Sequence, residues 1–290
     1  MSLRFAVVGP GKVGSALAKL LAGAGYAFLG CAGRSLESAR RACELVGSGR
    51  ATTDAAGLTR GAELVFITTP DDVIAQVCRE LAGRGAFRTG ATVAHCCGAL
   101  PSTILEPARA CGARLGSIHP LQSFATVEQA VELMPGSFCC VEGDPEAVEV
   151  LRAVAGALGA RVVNIPTESK PLYHAAAVMA SNFLVALENA AVKLGEAAGI
   201  GRREALESLL PLIRGTVSNM EKVGIPQCLT GPISRGDVET TRRHLEAIRQ
   251  RAPALLSLYS VLALEAVEVG LAKGTLSSAR AAELRALLGS

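Results

Sequence analysis

Residues 4–14 have the sequence RFAVVGPGKVG, in which a short apolar run leads directly into a turn with glycines at positions 9, 11 and 14. Gly9 permits a tight turn, Gly11 lets the backbone approach a pyrophosphate, and Gly14 allows a helix to pack closely on the strand. Residues 13–21 then carry apolar side chains at helical spacing. The N-terminus of such a helix offers free N–H groups and a positive dipole end to phosphates. The stretch therefore predicts a strand, a phosphate-binding turn and a helix.

Up to about residue 166, short apolar runs alternate with helical patterns. The runs predict strands at 5–8, 27–32, 63–68, 91–94, 114–118, 138–141 and 161–165. Such alternation implies right-handed crossovers and a mostly parallel, doubly wound sheet. From residue 167 the strand patterns end, and helical periodicity predicts helices at 170–198, 203–222, 237–250, 254–272 and 277–288. We therefore predict an α/β fold, with a Rossmann domain over 1–166 and an all-helical substrate and dimerisation domain over 167–290.

The residues that follow the second predicted strand indicate which dinucleotide would bind. An NAD site places Asp or Glu there, whereas this chain has Arg34 and Ser35. A guanidinium can hold a 2′-phosphate with two hydrogen bonds, and a serine hydroxyl adds a third, so we expect NADP(H). The predicted cofactor-binding residues are Gly9, Pro10, Gly11, Lys12, Val13, Gly14, Arg34, Ser35, Thr69, Pro70 and His95. The alternatives are a glycine turn that binds nothing and a Ser35 that only caps a helix.

Polar residues at two strand ends and on the first helix of the second half are candidates for the chemistry. His119, like His95, ends a predicted strand, and ligands of open α/β sheets bind beyond such ends. At helical spacing, Lys170, His174 and Ser181 share one stripe, with Asn182 beside it. We predict Lys170, His174 and His119 as catalytic residues, and Ser181 and Asn182 as substrate-binding residues. The alternative is that Lys170 is a helix-start charge and His174 a core histidine.

Two turns offer weaker signals. Arg235, in the stretch 229–237, suits an anionic group of a substrate, although Asp237 would also serve as a simple helix cap there. Asp71, after the strand 63–68, is expected to cap the next helix and not to take part in chemistry. None of the nine cysteines has zinc-ligand spacing, so no metal site is predicted and a reducing compartment is expected.

Composition argues against several classes of partner. The net charge is only +3, and the Arg doublets lie among Glu and Ala on helical patterns, so no nucleic-acid partner is expected. The chain enters a strand pattern at Arg4, so no signal peptide is expected. The most apolar helical segment, 175–187, is interrupted by Ser181 and Asn182 and is expected to be too short for a bilayer. We therefore expect a cytoplasmic protein without a membrane partner.

Three further segments resemble a known family of proteins. They are Tyr173-His174-Ala175-Ala176-Ala177-Val178 with Ser181-Asn182-Phe183, the stretch Leu229–Asp237, and His119-Pro120-Leu121-Gln122. Together with the Rossmann half, they resemble Rossmann-like NADP oxidoreductases with a C-terminal domain of unassigned function. These proteins belong with the 6-phosphogluconate dehydrogenase C-terminal-domain-like proteins. The resemblance implies a helical second domain of that type.

More distant similarity extends to four groups of characterised enzymes. Lys170 matches the catalytic Lys of 3-hydroxyisobutyrate dehydrogenases and ketopantoate reductases, but His174 stands where those families have Asn. His119-Pro120 is similar to the His-Pro of prephenate dehydrogenases, and Thr230-Gly231-Pro232 is loosely similar to a turn of pyrroline-5-carboxylate reductases. The resemblance implies a reaction class and no particular substrate.

These patterns predict hydride transfer between NADP(H) and a small carbonyl, hydroxyl or imine substrate that bears a carboxylate, at a site between the two domains. The helical half is expected to form a homodimer, because one copy would expose too much apolar helix surface. The main alternative is a dimeric NADP-binding sensor or scaffold without turnover. A deazaflavin-linked reductase would differ only in its second redox partner. No residue of the sequence decides between that reductase and the hydride transfer described above.

Overall fold

The computed structural model describes residues 3–289, and the chain divides into two compact units, Met1–Ser181 and Asn182–Ser290. The division comes later than the boundary after residue 166 that the sequence suggested. The reason is that the helix beginning at Lys170 belongs to the first unit, where the Lys170 side chain is fully buried. The first unit therefore contains the sheet together with the first helix of the predicted helical half.

The first unit is built on one eight-stranded sheet. Its strands are β1 (Arg4–Val8), β2 (Ala27–Ala32), β3 (Arg50–Thr52), β4 (Leu64–Ile67), β5 (Thr92–His95), β6 (Arg114–Pro120), β7 (Phe138–Gly143) and β8 (Arg161–Asn164). The strand order is β3-β2-β1-β4-β5-β6-β7-β8, and every neighbouring pair is parallel except β6 and β7. The predicted mostly parallel, doubly wound sheet is confirmed. Only the edge strand β3 was missed, since three residues are too few to show a period.

Helices cover both faces of this sheet. They are α1 (Lys12–Gly23), α2 (Leu36–Val46), α3 (Ala55–Thr59), α4 (Ile74–Gly83), α5 (Val127–Leu133), α6 (Pro145–Ala157) and α7 (Lys170–Ala180). A 3₁₀ helix spans Ser102–Cys111, and two short ones span Asp71–Val73 and Thr167–Ser169. Two separate buried clusters fill the faces, one with Leu17 of α1 and Leu151 of α6, the other with Ile74 of α4 and Leu105. Strand residues alternate between the two clusters, as a period of two requires.

The second unit is all helical. It contains α8 (Asn182–Ala197), α9 (Arg202–Val223), α10 (Val238–Arg251), α11 (Leu256–Lys273) and α12 (Ser278–Leu288), with 3₁₀ turns at Ile233–Arg235 and Pro253–Leu255. A small core forms around Leu245, Val267 and Leu284 of α10, α11 and α12. The predicted all-helical C-terminal domain is confirmed, but the helix predicted over 170–198 is divided at Ser181, which adopts φ −117° and ψ −68°.

Two helical stretches in the described residues are long and apolar enough to cross a membrane, by length and composition alone. They are Thr167–Ala197, with 31 residues, and Pro253–Lys273, with 21 residues. The expectation that the segment around 175–187 is too short for a bilayer is therefore wrong. One or two such helices are weak evidence for a membrane, because core helices of water-soluble proteins pass the same test. In the most apolar part of each stretch, only 11% and 17% of the residues, respectively, are buried within one copy of the chain. Both stretches therefore leave apolar surface uncovered.

Candidate functional site

The glycine turn between β1 and α1 has the geometry that the sequence predicted. Gly9 has φ +90°, and a Cβ atom added there would lie 2.7 Å from the backbone nitrogen of Thr69. At Gly14 an added Cβ would lie 2.8 Å from the Gly9 oxygen. These two glycines are therefore needed for the backbone path and for the close packing of α1.

Gly11 differs, because no atom lies within 4 Å of a Cβ added to it. It is the N-cap of α1 and has no side chain to satisfy the free N–H groups of the first turn. The α1 N-terminus thus combines open space, free donors and a positive dipole end, which is what a pyrophosphate requires. Of the other turn residues, Lys12 donates from Nζ to the Phe124 oxygen at 3.3 Å, while Pro10 accepts from the Ser15 hydroxyl at 3.3 Å.

Thr69, beside this turn, has a buried hydroxyl that lacks a hydrogen-bond partner in the described structure. Its neighbour Thr68 donates from Oγ1 to the Gly9 oxygen at 2.7 Å and so fixes the turn. A buried hydroxyl is costly to leave unpaired, and a bound polar ligand would remove this cost. The turn, the open α1 terminus and Thr69 together fit a dinucleotide.

The residues after β2 fit an NADP site in part. Arg34 is exposed and forms no ion pair or side-chain hydrogen bond within residues 3–289. Gly9 donates from its backbone nitrogen to the Ala32 oxygen at 2.8 Å, so Arg34 follows a strand end that adjoins the glycine turn. Ser35 caps α2, since its Oγ accepts from the Ser38 nitrogen at 3.2 Å. Ser35 therefore has a structural role whether or not it also contacts a nucleotide.

Pro70 and Asp71 follow β4 in a short 3₁₀ turn. Pro70 is exposed, and Asp71 is the first residue of the turn and provides no helix cap. The prediction that Asp71 caps the next helix is therefore wrong. Its carboxylate instead accepts a hydrogen bond from the thiol of Cys97, whose pKa is raised by burial and by this contact.

A polar group of side chains lies on one face of the sheet, on β5, β6 and β7. The strand register pairs His95 with Ser117, Ser117 with Glu142, and His119 with Cys140. Because paired residues and residues two apart share a face, all five side chains lie on the same side. Helix α7 covers this face with side chains at helical spacing, Lys170, Tyr173 and His174. We call these eight residues the polar face.

Lys170 is fully buried at the base of the polar face. Its Nζ donates to the Ser117 hydroxyl and lies 3.4 Å from Oε1 of Glu142, whose side chain is 1% exposed. Glu142 in turn accepts from the backbone nitrogen of Ser102 at 2.8 Å and from its hydroxyl at 2.7 Å. Direct proton transfer from Lys170 to a substrate does not fit this placement, because no part of its ammonium group is exposed to solvent. The role that the geometry supports is to hold α7 against the sheet.

His95 is also fully buried, and both of its ring nitrogens are used by the backbone. Nδ1 accepts from the Cys97 nitrogen at 3.1 Å, and Nε2 lies 3.2 Å from the Pro101 oxygen. Burial, followed by the Lys170 charge, lowers the pKa of His95 to about 3, so the ring is neutral. The predicted cofactor contact of His95 does not fit, because neither nitrogen is free. His95 instead shapes the loop from Cys97 to Pro101.

His119 keeps one ring nitrogen that no protein group occupies in the described structure. Nδ1 lies 2.9 Å from the Tyr173 hydroxyl, and the His174 ring lies 6.1 Å away between centroids. A Cβ atom added at Gly98 would lie 2.8 Å from Nε2 of His119 and 2.5 Å from Cδ2 of His174, so only glycine fits there. Burial and then the Lys170 charge lower the pKa of His119 to about 4. The ring is therefore neutral near pH 7.

The remaining predicted residues are exposed and lie outside the polar face. Ser181 ends α7, Asn182 begins α8, and both are exposed. Arg235 is exposed in the second unit and forms no ion pair or side-chain hydrogen bond among the described residues. Asp237 caps α10 by accepting a hydrogen bond from the Thr240 nitrogen at 3.0 Å, which is the simple helix cap that the sequence also allowed. No cluster of metal-ligating residues occurs within residues 3–289.

Six residues of the site were missed by sequence reasoning, although two had a signal. Glu142 is a single charge within an otherwise apolar strand, and such a residue needs a buried partner. Tyr173 lies three residues after Lys170 and thus on the same helix face. The other four, Ser117, Cys140, Ser102 and Gly98, gave no signal, since their roles depend on strand register and loop geometry that no periodicity encodes.

Comparison with known proteins supports this architecture. Residues 1–120 match a Rossmann-like domain, and residues 137–266 match a domain of unknown function (DUF2520). The chain is 30% identical to protein TM1727 from Thermotoga maritima, with a TM-score of 0.75, covering 93% of this chain and 99% of that one. The chain therefore belongs to the family of proteins that join a Rossmann-like domain to a DUF2520 domain. Among curated proteins, none matches the sequence significantly.

Less similar structures share the fold. One is described as an NADP oxidoreductase, BF3122 from Bacteroides fragilis, at 23% identity and a TM-score of 0.70, covering 92% of this chain and 98% of that one. Another is a pyrroline-5-carboxylate reductase from Coxiella burnetii, at 16% identity and a TM-score of 0.61, covering 98% and 99%. This fold likeness agrees with the family resemblance that the sequence motifs indicated.

Proposed function

We propose that this chain is an NADP(H)-dependent oxidoreductase that transfers hydride to or from a small carbonyl, hydroxyl or imine substrate. One observation carries the proposal. The glycine turn and the polar face lie at the same edge of one sheet, since Val8, Ile67, His95 and Ser117 are aligned in register across β1, β4, β5 and β6. Three strand spacings separate β1 from β6, roughly 14 Å, so one dinucleotide can reach from one to the other.

The cofactor would be held by the turn and α1. The backbone around Gly11 would approach the pyrophosphate, and the Thr69 hydroxyl would gain the partner that it lacks. Arg34 is an exposed guanidinium without a partner among residues 3–289, and the chain has no Asp or Glu at this strand end, which favours NADP(H) over NAD(H). The bound nicotinamide would supply or accept the hydride.

The protein's own contribution is to position the substrate and to donate or accept the proton that accompanies hydride transfer. His119 of β6 and His174 of α7 are half-buried polar groups, and we assign substrate contact to them. Lys170 acts by fixing α7, on which His174 lies, through its contacts with Ser117 and Glu142. Ser181, at the end of α7, offers a further polar contact, whereas Arg235 and Asn182 of the second unit remain candidates on the sequence pattern alone.

A second candidate function is an NADP-binding sensor or scaffold without turnover. The full burial of Lys170 favours it, because the residue expected to donate a proton is unavailable. The partly exposed His119 and His174 favour the enzyme. Turnover distinguishes the two, since a sensor would bind the nucleotide and oxidise none of it.

The deciding experiment is a titration of the purified protein with NADPH and with NADH, followed by nucleotide fluorescence and thermal stabilisation. We expect tight binding of NADPH and weaker binding of NADH. Arg34→Ala should remove this preference, whereas Arg79→Ala, at an exposed cation on α4, should keep it. Binding of neither nucleotide would reject the oxidoreductase. Equal binding of both by the wild-type protein would reject the role of Arg34.

We also propose that the protein acts as a homodimer in the cytoplasm. In one copy, Leu172 and Met179 of α7 are 78% and 67% exposed, and Phe183 and Val185 of α8 are 59% and 72% exposed. A second copy of the chain is the occupant that we favour, because apolar helix faces of this extent pair readily with themselves. The nine free thiols are compatible with a reducing compartment.

A further inference from the structure

Tyr173 and Cys140 are two polar residues of the polar face to which the proposed function gives no role. Cys140 is paired directly with His119 across β6 and β7, and its thiol neighbours the Tyr173 hydroxyl. The Tyr173 hydroxyl is also 2.9 Å from Nδ1 of His119. Tyr173 and His119 thus form a short hydrogen-bonded chain, with the Cys140 thiol as its neighbour.

The direction of this chain follows from which groups can donate. A thiol and a phenol each carry one hydrogen, and a neutral imidazole carries one hydrogen on one of its two nitrogens. If the Tyr173 O–H donates to Nδ1 of His119, that nitrogen is the one without a hydrogen. The ring hydrogen must then be on Nε2, the nitrogen that faces Gly98 and His174.

Such a chain delivers a proton without placing a charge on His119. As Nε2 loses its proton to an acceptor, Nδ1 takes the Tyr173 proton, so the ring stays neutral throughout. The depressed pKa of His119 agrees with a ring that is not protonated beforehand. The negative charge moves to the Tyr173 oxygen, where burial raises the pKa of the phenol and so favours rapid return of a proton from water.

We propose that Tyr173 is a proton-relay residue acting through His119, and that the site is therefore built for a carbonyl and alcohol pair instead of an imine. This inference rests on the proposed hydride transfer. In the reducing direction the carbonyl carbon takes a hydride from the reduced nicotinamide and the C=O π bond breaks. The oxygen then takes the proton from Nε2 of His119, and Tyr173 supplies the replacement. The alkoxide formed by hydride addition is a stronger base than a phenolate, so the transfer runs towards the substrate.

A carbonyl and an imine differ in their need for a proton donor during reduction. A protonated imine already carries the proton that the product amine needs, so a relay of neutral donors adds nothing to its reduction. A carbonyl oxygen has no proton and becomes strongly basic as hydride arrives, so it depends on a positioned donor. A relay that begins at a phenol therefore favours the carbonyl.

The first test is the tautomer of His119, measured by ¹⁵N–¹H correlation of the imidazole rings at pH 7. The relay predicts the Nε2–H form in the wild-type protein and a mixture of forms in Tyr173→Phe. Tyr259→Phe is the matched control, because its hydroxyl lies 2.8 Å from Nδ1 of His244 in the second unit and its loss should leave the His119 signal unchanged. An Nδ1–H form in the wild type, or no change in Tyr173→Phe, would overturn the relay.

The second test is turnover with NADPH on small aldehydes, ketones and 2-oxo acids, compared with 1-pyrroline and 1-pyrroline-2-carboxylate. Tyr173→Phe should lower kcat on carbonyls by on the order of 100-fold, with KM and nucleotide affinity nearly unchanged. Preferred reduction of the imines, or full activity of Tyr173→Phe, would reject the relay and leave the oxidoreductase standing. Failure of the wild type to bind NADPH would reject both. If no compound reacts, the tautomer result decides.

Discussion

Lys170 and Glu142 form an ion pair with 3.4 Å between Nζ and Oε1, and their side chains are 0% and 1% exposed. Glu142 also accepts two hydrogen bonds from Ser102, at the start of the long 3₁₀ helix. The pair therefore ties together three segments that are distant in sequence, namely α7, β7 and that helix. Burying two charges is costly unless both are well bonded, and here each has a hydroxyl partner in addition to the other charge.

Removing one member of this pair should destabilise the first unit strongly. Lys170→Met leaves the Glu142 carboxylate buried without its cation, which costs roughly 3–5 kcal/mol. We expect the melting temperature to fall by on the order of 10 °C in scanning calorimetry. The double variant Lys170→Met with Glu142→Gln should recover part of this loss, because it removes both charges. Additive losses in the double variant would contradict the pairing. Arg203→Met, at the exposed pair with Glu207, is the control and should cost less than about 1 kcal/mol.

The two buried histidines predict how stability depends on pH. Burial is the main cause that lowers the pKa of His95 to about 3 and that of His119 to about 4, compared with about 6.5 in an unfolded chain. As the pH falls below 6.5, the two histidines bind protons in the unfolded chain but not in the folded chain. Stability is therefore fully present above pH 6.5 and decreases towards pH 4, by about 1.4 kcal/mol per pH unit for each histidine.

Thermal melting between pH 7 and pH 5 checks this expectation. The wild-type melting temperature should decrease over this window, and His119→Asn should give a shallower decrease because one of the two histidines is gone. Asn keeps a group able to bond the Tyr173 hydroxyl, so the variant should still fold. An unchanged slope in His119→Asn would show that its imidazole takes up protons equally in both states.

The sequence predicted most of the fold because the fold is encoded in periodicity. Seven of the eight strands and the helices of the second unit follow apolar patterns that extend over several residues. The turn Gly9–Gly14 was also predictable, since its glycines are fixed by local backbone geometry. The break at Ser181 was missed, because Ser and Asn are tolerated inside helices and nothing local requires the chain to divide there.

The chemistry of the polar face was harder to predict, because it depends on which side chains meet across strands. His95 and His119 each end a strand, but β7 runs antiparallel and brings Glu142 and Cys140 beside Ser117 and His119. The direction and register of β7 decide that Lys170 is buried in an ion pair with Glu142. No local pattern in residues 138–143 reveals that register.

Gly11 allows a test of nucleotide binding that is separate from stability. Its φ is −81° and an added Cβ meets nothing within 4 Å, so Gly11→Ala should fold with an unchanged melting temperature. The new methyl group would occupy the space needed for the pyrophosphate, so NADPH affinity should fall at least about tenfold. Gly9→Ala is the contrasting variant, since φ +90° and the contact with Thr69 should make it unstable. Unaltered NADPH binding by Gly11→Ala would place the nucleotide elsewhere.

The exposed apolar surface of α8 predicts a stable homodimer. Val185 is 72% exposed in one copy, and Val185→Glu would place a charge on the proposed contact surface while remaining compatible with a helix. By size-exclusion chromatography with light scattering, the wild type should have twice the chain mass of 29.8 kDa and the variant should shift towards one chain mass. Leu133→Glu, at a residue of α5 that is 39% exposed, is the control and should stay dimeric. A wild type that is monomeric and binds phosphatidylcholine vesicles would show that this surface contacts lipid instead.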